Sequence, residues 1–420
     1  MWRRSGFGPG YGDPQRFIRL QRSGQLGHLP GLGQRAAGQV LGSALLGVPD
    51  TKSTATGRAG AAVKALCWFG PGDVRVVDVP KPRLQAGSDV ILQVTRAAVC
   101  GSDLHLLHGK IPQLAPGTVL GHEFVGVVEE VGPAVLGLWV GQRCAAAMFV
   151  ACGHCPQCWA GQHPRCSQYA MFGMGDLMGG LAGGQAEYVR VPLADMTLCP
   201  IPDTMSDDAA LFTGDILATA YTACLQSGIS PGDLVAVIGA GPVGLLTVTC
   251  AQLFGAARVF AVDPISERRE LARQLGAVPI DPAQGDPASS LRQLTGGSRA
   301  DVVIEAVGSR ETLELAWRLA GTGATVALVG ILVDEPWPQS AGQAWLRNLT
   351  IRTVIGQPYR HRQTLFRLIE SGVLQPQSII SQSVPLSQAA EAYAAMDVRQ
   401  TLKAVLRPDS AGEVPPPNQP

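Results

Sequence analysis

The chain carries no net charge: 33 Lys and Arg balance 33 Asp and Glu over 420 residues, and only 16% of its residues are charged. That balance favours neither nucleic acid nor an anionic membrane as a partner. Aromatic residues are scarce at 5%, while hydrophobic residues reach 46%, the composition of a soluble enzyme with a generous aliphatic core. The length allows two or three domains. A disulfide framework is also missing. Six of the ten cysteines stand mostly alone in apolar surroundings, which suits a reducing compartment and makes the cytoplasm the expected location.

Acids are nearly absent from residues 1–60, where only Asp13 and Asp50 occur among many glycines and arginines. These residues read as an extension without a packed domain; they resemble an organelle transit sequence but lack its sustained amphipathic pattern. Residues 409–420 read as a tail. Charge is missing altogether from Leu234 to Ala257, a stretch long enough to cross a bilayer. Gly239, Gly241, Pro242 and Gly244 interrupt it, so it reads as a buried strand, a glycine turn and a helix.

What the chain does have is a cluster of thiols. Cys152, Cys155, Cys158 and Cys166 fall in the run CGHCPQCWAGQHPRC, with two, two and seven residues between them. Close pairs on tight turns can supply the four soft ligands of a closed, structural zinc site. Unrelated buried thiols or a redox pair are the alternatives. Iron at the same thiols, serving electron transfer, would colour the protein.

From Val63 to about residue 215 short β-like runs alternate with Gly and Pro turns, which predicts a compact, mostly β domain over 61–215 containing the cysteine lobe at 152–166. Residues 216–354 then alternate strand and helix, the rhythm of a parallel sheet. Two helical stretches and a short strand in 355–408 are expected to return to the first domain.

Gly239-Ala-Gly241-Pro-Val243-Gly244 follows an apolar strand and opens a helix, and Asp263 ends the next strand. Glycines let the backbone approach a pyrophosphate, and an acid at that distance can accept from both ribose hydroxyls. Asp263 therefore favours NAD over NADP, although Arg268 and Arg269 lie close by. Upstream, Cys100-Gly-Ser102-Asp103-Leu-His105 and Gly121-His122-Glu123 supply residue types suited to an open zinc site. One thiolate and one imidazole leave the ion short of a protein ligand.

These motifs, in this order, resemble the zinc-containing medium-chain alcohol dehydrogenases across roughly residues 63–408. GKIPQLAPGTVLGHEFVGVVEEVG, GGQAEYVRVP and ALFTGDILATAYTA are most similar to its glutathione-independent formaldehyde dehydrogenase-like branch. The resemblance implies an α/β fold: a GroES-like, mostly β catalytic domain and a Rossmann domain with a doubly wound parallel sheet. It implies two Zn²⁺ per chain and places the third catalytic ligand on Asp215, beside Cys100 and His122. The alternative for Asp215 is a helix N-cap before ILATAYTA.

By the same resemblance Asp103 orients His122, Glu123 stands behind as a transient fourth ligand, and Ser102 and His105 form a proton relay. A plain surface histidine is the other reading of His105. Thr219 and Val243 match positions near the nicotinamide, and Lys403 matches a basic residue that can reach the pyrophosphate. Gly101 replaces a residue that is often basic, so that phosphate contact is absent.

The activity implied is hydride transfer between an alcohol, or an aldehyde hydrate, and NAD, in a homodimer or homotetramer. The stretches around Asp215 depart from the formaldehyde-specific pattern, which leaves the substrate open among small alcohols, polyols and aldehydes. A different class of function is a zinc-stabilised dinucleotide-binding protein without catalysis, acting as a sensor or structural partner. An active enzyme predicts two zinc ions per chain, and the non-catalytic reading predicts one.

Overall fold

The computed structural model of the chain describes residues 61–111, 114–331 and 340–409. The extension expected over 1–60 and the tail from 410 lie outside the described residues.

Strand Val90–Ala98 is buried along almost its whole length, because both its faces are covered. It pairs antiparallel with Glu123–Val131 and Tyr188–Val191. The late strand Ala404–Arg407 joins it through Val405 opposite Ala98, so the last strand of the chain completes the first sheet. Seven strands make up that sheet, with Arg143–Ala146, Leu198–Pro200 and Gln382–Pro385 filling its outer positions. Its core includes Phe124 and Phe172, whose rings meet edge to face at 5.0 Å.

The second large sheet has six strands, all parallel, in the order Val278–Ile280, Arg258–Val262, Leu234–Ile238, Ala300–Glu305, Ala320–Leu328 and Thr350–Thr353. Numbered along the chain this is 3-2-1-4-5-6, a doubly wound arrangement that reverses direction beside Leu234–Ile238. LVAVI is buried from its second residue onward, as a strand covered on both faces requires. The crevice beyond its carboxyl end is where such sheets bind ligands. Helix Pro242–Leu253 begins there, with proline in its first turn, where a missing N–H costs nothing.

The charge-free stretch is thus divided between that strand and that helix. Among the described residues no helix is long and apolar enough to cross a membrane. The four-cysteine segment leaves the first domain at Phe149–Val150 and returns at Ala170–Met171, two short strands paired antiparallel at its base.

Candidate active site and metal centres

Three turns converge on one point. Cys100 directly precedes helix Gly101–Leu107, His122 directly precedes strand Glu123–Val131, and Asp215 sits where the 3₁₀ turn Leu211–Gly214 breaks into helix Ile216–Ser227. One donor atom each from Cys100, His122, Glu123 and Asp215 lies within 4.8 Å of the others. Asp215 Oδ2 is 3.2 Å from His122 Nε2 and 3.9 Å from Cys100 Sγ.

Asp215 does occupy the N-cap position, but at φ −144° and ψ −90° its side chain accepts no capping hydrogen bond. The carboxylate faces the thiol and the imidazole instead, so the capping role weighed from the sequence is not the one it plays.

A thiolate, an imidazole and a carboxylate form a donor set suited to Zn²⁺. Glu123 Oε2 adds a buried oxygen with no hydrogen-bond partner. These residues fit a metal ion, and protons compete for the same lone pairs. Burial pushes the Cys100 thiol up. Burial disfavours charge on His122, yet Asp103 and Cys100 outweigh it and hold this imidazole well above its ordinary pKa. Metal binding therefore releases protons here.

Around the ligands, Asp103 Oδ2 accepts the Cys100 backbone N–H at 2.9 Å, and its Oδ1 lies 3.4 Å from His122 Nδ1. Ser102 Oγ is 3.3 Å from His122 Nε2. His105 lies half-buried one turn further along the same helix. Burial, with Lys110 and His108 nearby, keeps its pKa below the ordinary value.

Lys403 is placed differently from the sequence expectation. Its ammonium is 1% exposed and donates to the Val99 carbonyl at 2.9 Å and to Glu123 Oε1 at 2.7 Å. The charge assigned to a pyrophosphate is paired with Glu123 instead, because a buried carboxylate needs a counter-charge more than an exposed phosphate does. Burial opposes charge on Lys403, but Glu123 and Cys100 hold its pKa above the ordinary value.

At the glycine turn, Gly239 has φ 89°, and a Cβ on Gly244 would stand 1.8 Å from the Gly239 carbonyl oxygen. Only glycine allows helix and strand to pack this closely. Asp263 is 3% exposed, and its carboxylate accepts from the backbone N–H groups of Ala240 and Ile265, both at 2.8 Å. Arg269 is tied down by the Asp263 carbonyl and by Asp281 at 2.8 Å. Arg268 instead reaches the turn: its guanidinium is 3.9 Å from where a Cβ on Gly241 would be. Val243 is half-buried against the core, and Thr219 Oγ1 donates to Asp215 Oδ1 at 3.4 Å.

The other four thiols form a closed group. Cys152 and Cys158 sulfurs are 4.0 Å apart, and those of Cys155 and Cys166 are 3.9 Å apart. Ligands about 2.3 Å from a tetrahedral ion would be roughly 3.8 Å from one another. Backbone N–H groups of Ser167 and Cys158 bring the Cys155 thiol down to about 5, whereas burial pushes Cys158 and Cys166 up, so a metal bound here would displace protons. All ten cysteines are free.

Gln185 and Tyr393 also belong to the surroundings of the site, although neither was singled out in the sequence. Both are 0% exposed and hydrogen-bonded to one another. Gln185 lies in GGQAEYVRVP, a stretch that carried the family likeness, but no spacing ties it to Asp103 or to a tyrosine 208 residues later.

Comparison with known proteins agrees with this geometry. The chain matches the alcohol dehydrogenase GroES-like domain over residues 86–203 and the zinc-binding dehydrogenase domain over residues 242–371. It is 38% identical to a probable zinc-binding alcohol dehydrogenase of Mycobacterium tuberculosis, over 83% of this chain and 89% of that protein. Among solved structures, an alcohol dehydrogenase of Thermus sp. ATN1 superimposes with a TM-score of 0.79 and 41% identity, covering 82% of this chain and 99% of the other. A zinc-binding dehydrogenase of Sinorhizobium meliloti 1021 bound to NADP does so with a TM-score of 0.75 and 32% identity, covering 83% and 100%. With both domain matches, this overlap and a cluster of metal-binding donors in one fold, the chain belongs to the zinc-type medium-chain alcohol dehydrogenase family.

Proposed function

We propose that this protein is an NAD-dependent alcohol dehydrogenase that holds one zinc at Cys100, His122 and Asp215 and a second at Cys152, Cys155, Cys158 and Cys166. The observation that carries the reading is the convergence of four ligand-type side chains within 4.8 Å, from segments far apart in the chain. Cys100 and Asp215 supply two negative charges and His122 none, which balances Zn²⁺ and leaves a position for substrate. Zinc bound there supplies Lewis acidity, letting an alcohol lose its proton near neutral pH.

Ser102 takes the substrate's hydroxyl proton, and His105, kept neutral by its surroundings, passes it to solvent. Glu123 holds one unpartnered oxygen behind the three ligands, with Lys403 balancing its charge. Gly239, Gly241 and Gly244 would admit the pyrophosphate of NAD, to which Arg268 would offer a guanidinium, and the bound cofactor would supply the hydride acceptor. Asp263 receives the ribose hydroxyls and disfavours a 2′-phosphate. Thr219 and Val243 border the nicotinamide. Aldehyde hydrates join small alcohols as substrates through the likeness to the formaldehyde dehydrogenase-like branch, and the enzyme acts in the cytoplasm as a homodimer or homotetramer.

Cys100→Ala and Asp215→Ala are each expected to abolish alcohol-dependent NADH formation while the four-cysteine zinc stays bound. Turnover retained in both would sink the reading. A substrate panel read by NADH absorbance, with NADP⁺ beside NAD⁺, tests the cofactor; faster rates with NADP⁺ would overturn the role given to Asp263.

A further inference from the structure

Behind Asp103 runs a buried chain of hydrogen bonds drawn from four separate segments. Tyr393, in helix Ala389–Asp397, donates its hydroxyl to Gln185 Oε1 at 2.7 Å. Gln185 Nε2 donates to Asp103 Oδ2 at 3.2 Å and to the Ala98 carbonyl at 3.0 Å. The remaining oxygen of Asp103, Oδ1, faces His122 Nδ1 at 3.4 Å, and neither of these two buried atoms has another partner.

The chain has a direction. The amide oxygen of Gln185 accepts the phenol proton, which turns its NH₂ group toward Asp103. Asp103 accepts from Gln185 Nε2 and from the Cys100 backbone N–H through Oδ2, and its Oδ1 faces the imidazole, so Nδ1 is the nitrogen placed to donate to it. With a metal bound, His122 Nε2 would offer its lone pair on the side where Asp215 lies at 3.2 Å.

Space for this chain comes from the residue before the ligand. A Cβ on Gly121 would stand 2.3 Å from Gln185 Cγ, so glycine there lets the glutamine side chain pass directly behind His122. The backbone holds the same register, with Gly184 N donating to the Gly121 carbonyl at 2.8 Å and Gln185 N to the Leu120 carbonyl at 2.9 Å.

We infer that Gln185 and Tyr393 are positioning residues for the metal ligand His122, acting through Asp103. The inference rests on the catalytic zinc proposed above. Gln185 holds the Asp103 carboxylate in line with the imidazole, and Tyr393 fixes which end of the glutamine amide donates. A group one step behind a metal ligand, as Asp103 is, typically changes metal affinity about 10- to 100-fold, because it fixes ring orientation and ligand basicity; Gln185 and Tyr393 act one and two steps further back.

Two variants test this. Tyr393→Phe removes only the hydroxyl, and Gln185→Met keeps the side-chain shape while removing both hydrogen-bonding groups. Each is expected to lose the His122 zinc to a chelator faster than wild type, by up to about tenfold, and to shift the visible bands of Co²⁺ exchanged into that site. The four-cysteine zinc and the thermal melt serve as folding controls. In the Gln185→Met background, adding Tyr393→Phe should change metal release less than it does alone, because its hydroxyl hydrogen-bonds to the glutamine.

Wild-type release rates and cobalt bands in both folded variants would overturn the inference, as would fully additive effects in the double variant. If Gln185→Met does not fold, Tyr393→Phe alone decides. A wild-type protein that takes up one zinc per chain would sink the zinc reading and this inference with it, whereas two zincs with unaltered variants would sink only the inference.

Discussion

Lys403 Nζ lies 2.7 Å from Glu123 Oε1, an ion pair whose side chains are 1% and 0% exposed and whose residues are 280 apart in sequence. It stitches the segment leading into strand Ala404–Arg407 to the strand that opens at Glu123. Removing one partner of a buried pair leaves the other charge without compensation, at a cost of about 3–5 kcal/mol. Lys403→Met is therefore expected to destabilise by that amount in urea unfolding. The double variant Glu123→Gln/Lys403→Met should recover most of the loss; a double variant no better than Lys403→Met would refute the pairing as the cause.

Gly244 is a second point of close contact. With only 1.8 Å available to a Cβ beside the Gly239 carbonyl oxygen, Gly244→Ala must push helix Pro242–Leu253 off the sheet. Overpacking of this kind costs about 1–3 kcal/mol. The KM for NAD should rise while the zinc content stays unchanged, and a wild-type KM would show that the turn tolerates the shift.

The pH dependence has an identifiable contributor away from the metals. His361 packs its ring 5.0 Å from that of Tyr221, and burial, with Arg360 nearby, brings its pKa from 6.5 down to about 4. The unfolded chain thus binds this proton first. Stability from keeping His361 neutral is complete above 6.5 and is lost as pH falls from there toward about 4. His361→Phe should flatten the wild-type fall in urea midpoint between neutral and acidic pH; parallel curves would assign that fall to other groups.

The cysteine lobe should separate structure from chemistry. Cys155→Ser is expected to remove one of the two zinc ions and expose the lobe to proteolysis between its short base strands, while Cys100, His122 and Asp215 retain theirs. Turnover should drop without vanishing, since Met148, beside the lobe's base, donates to the Gly214 carbonyl at 3.1 Å, next to Asp215. Loss of both metals in this variant would mean that the two sites fold as one.

Much of this was legible because it is local. Cys152, Cys155, Cys158 and Cys166 span fifteen residues, and Gly239 to Asp263 lies within the one βαβ unit that begins at Leu234, so spacing alone limits where those side chains can go. Asp215 was placed by likeness to a family, and its carboxylate direction needed the backbone break at φ −144°. Lys403 was assigned to phosphate by likeness to the family, which carries over a basic residue but not the buried acid it pairs with here. Gln185 and Tyr393 gave no signal, since a lone amide and a lone phenol have no characteristic spacing.

By itself, the sequence determined the two folding patterns, the grouping of four cysteines and the glycine turn, each set by periodicity or by residues a few positions apart. Tertiary structure decided which buried charges pair, where Asp215 points and what stands behind His122. Those outcomes depend on side chains from distant segments meeting in a dry interior, where an unpaired polar group is costly and only the finished packing shows which partner is within reach.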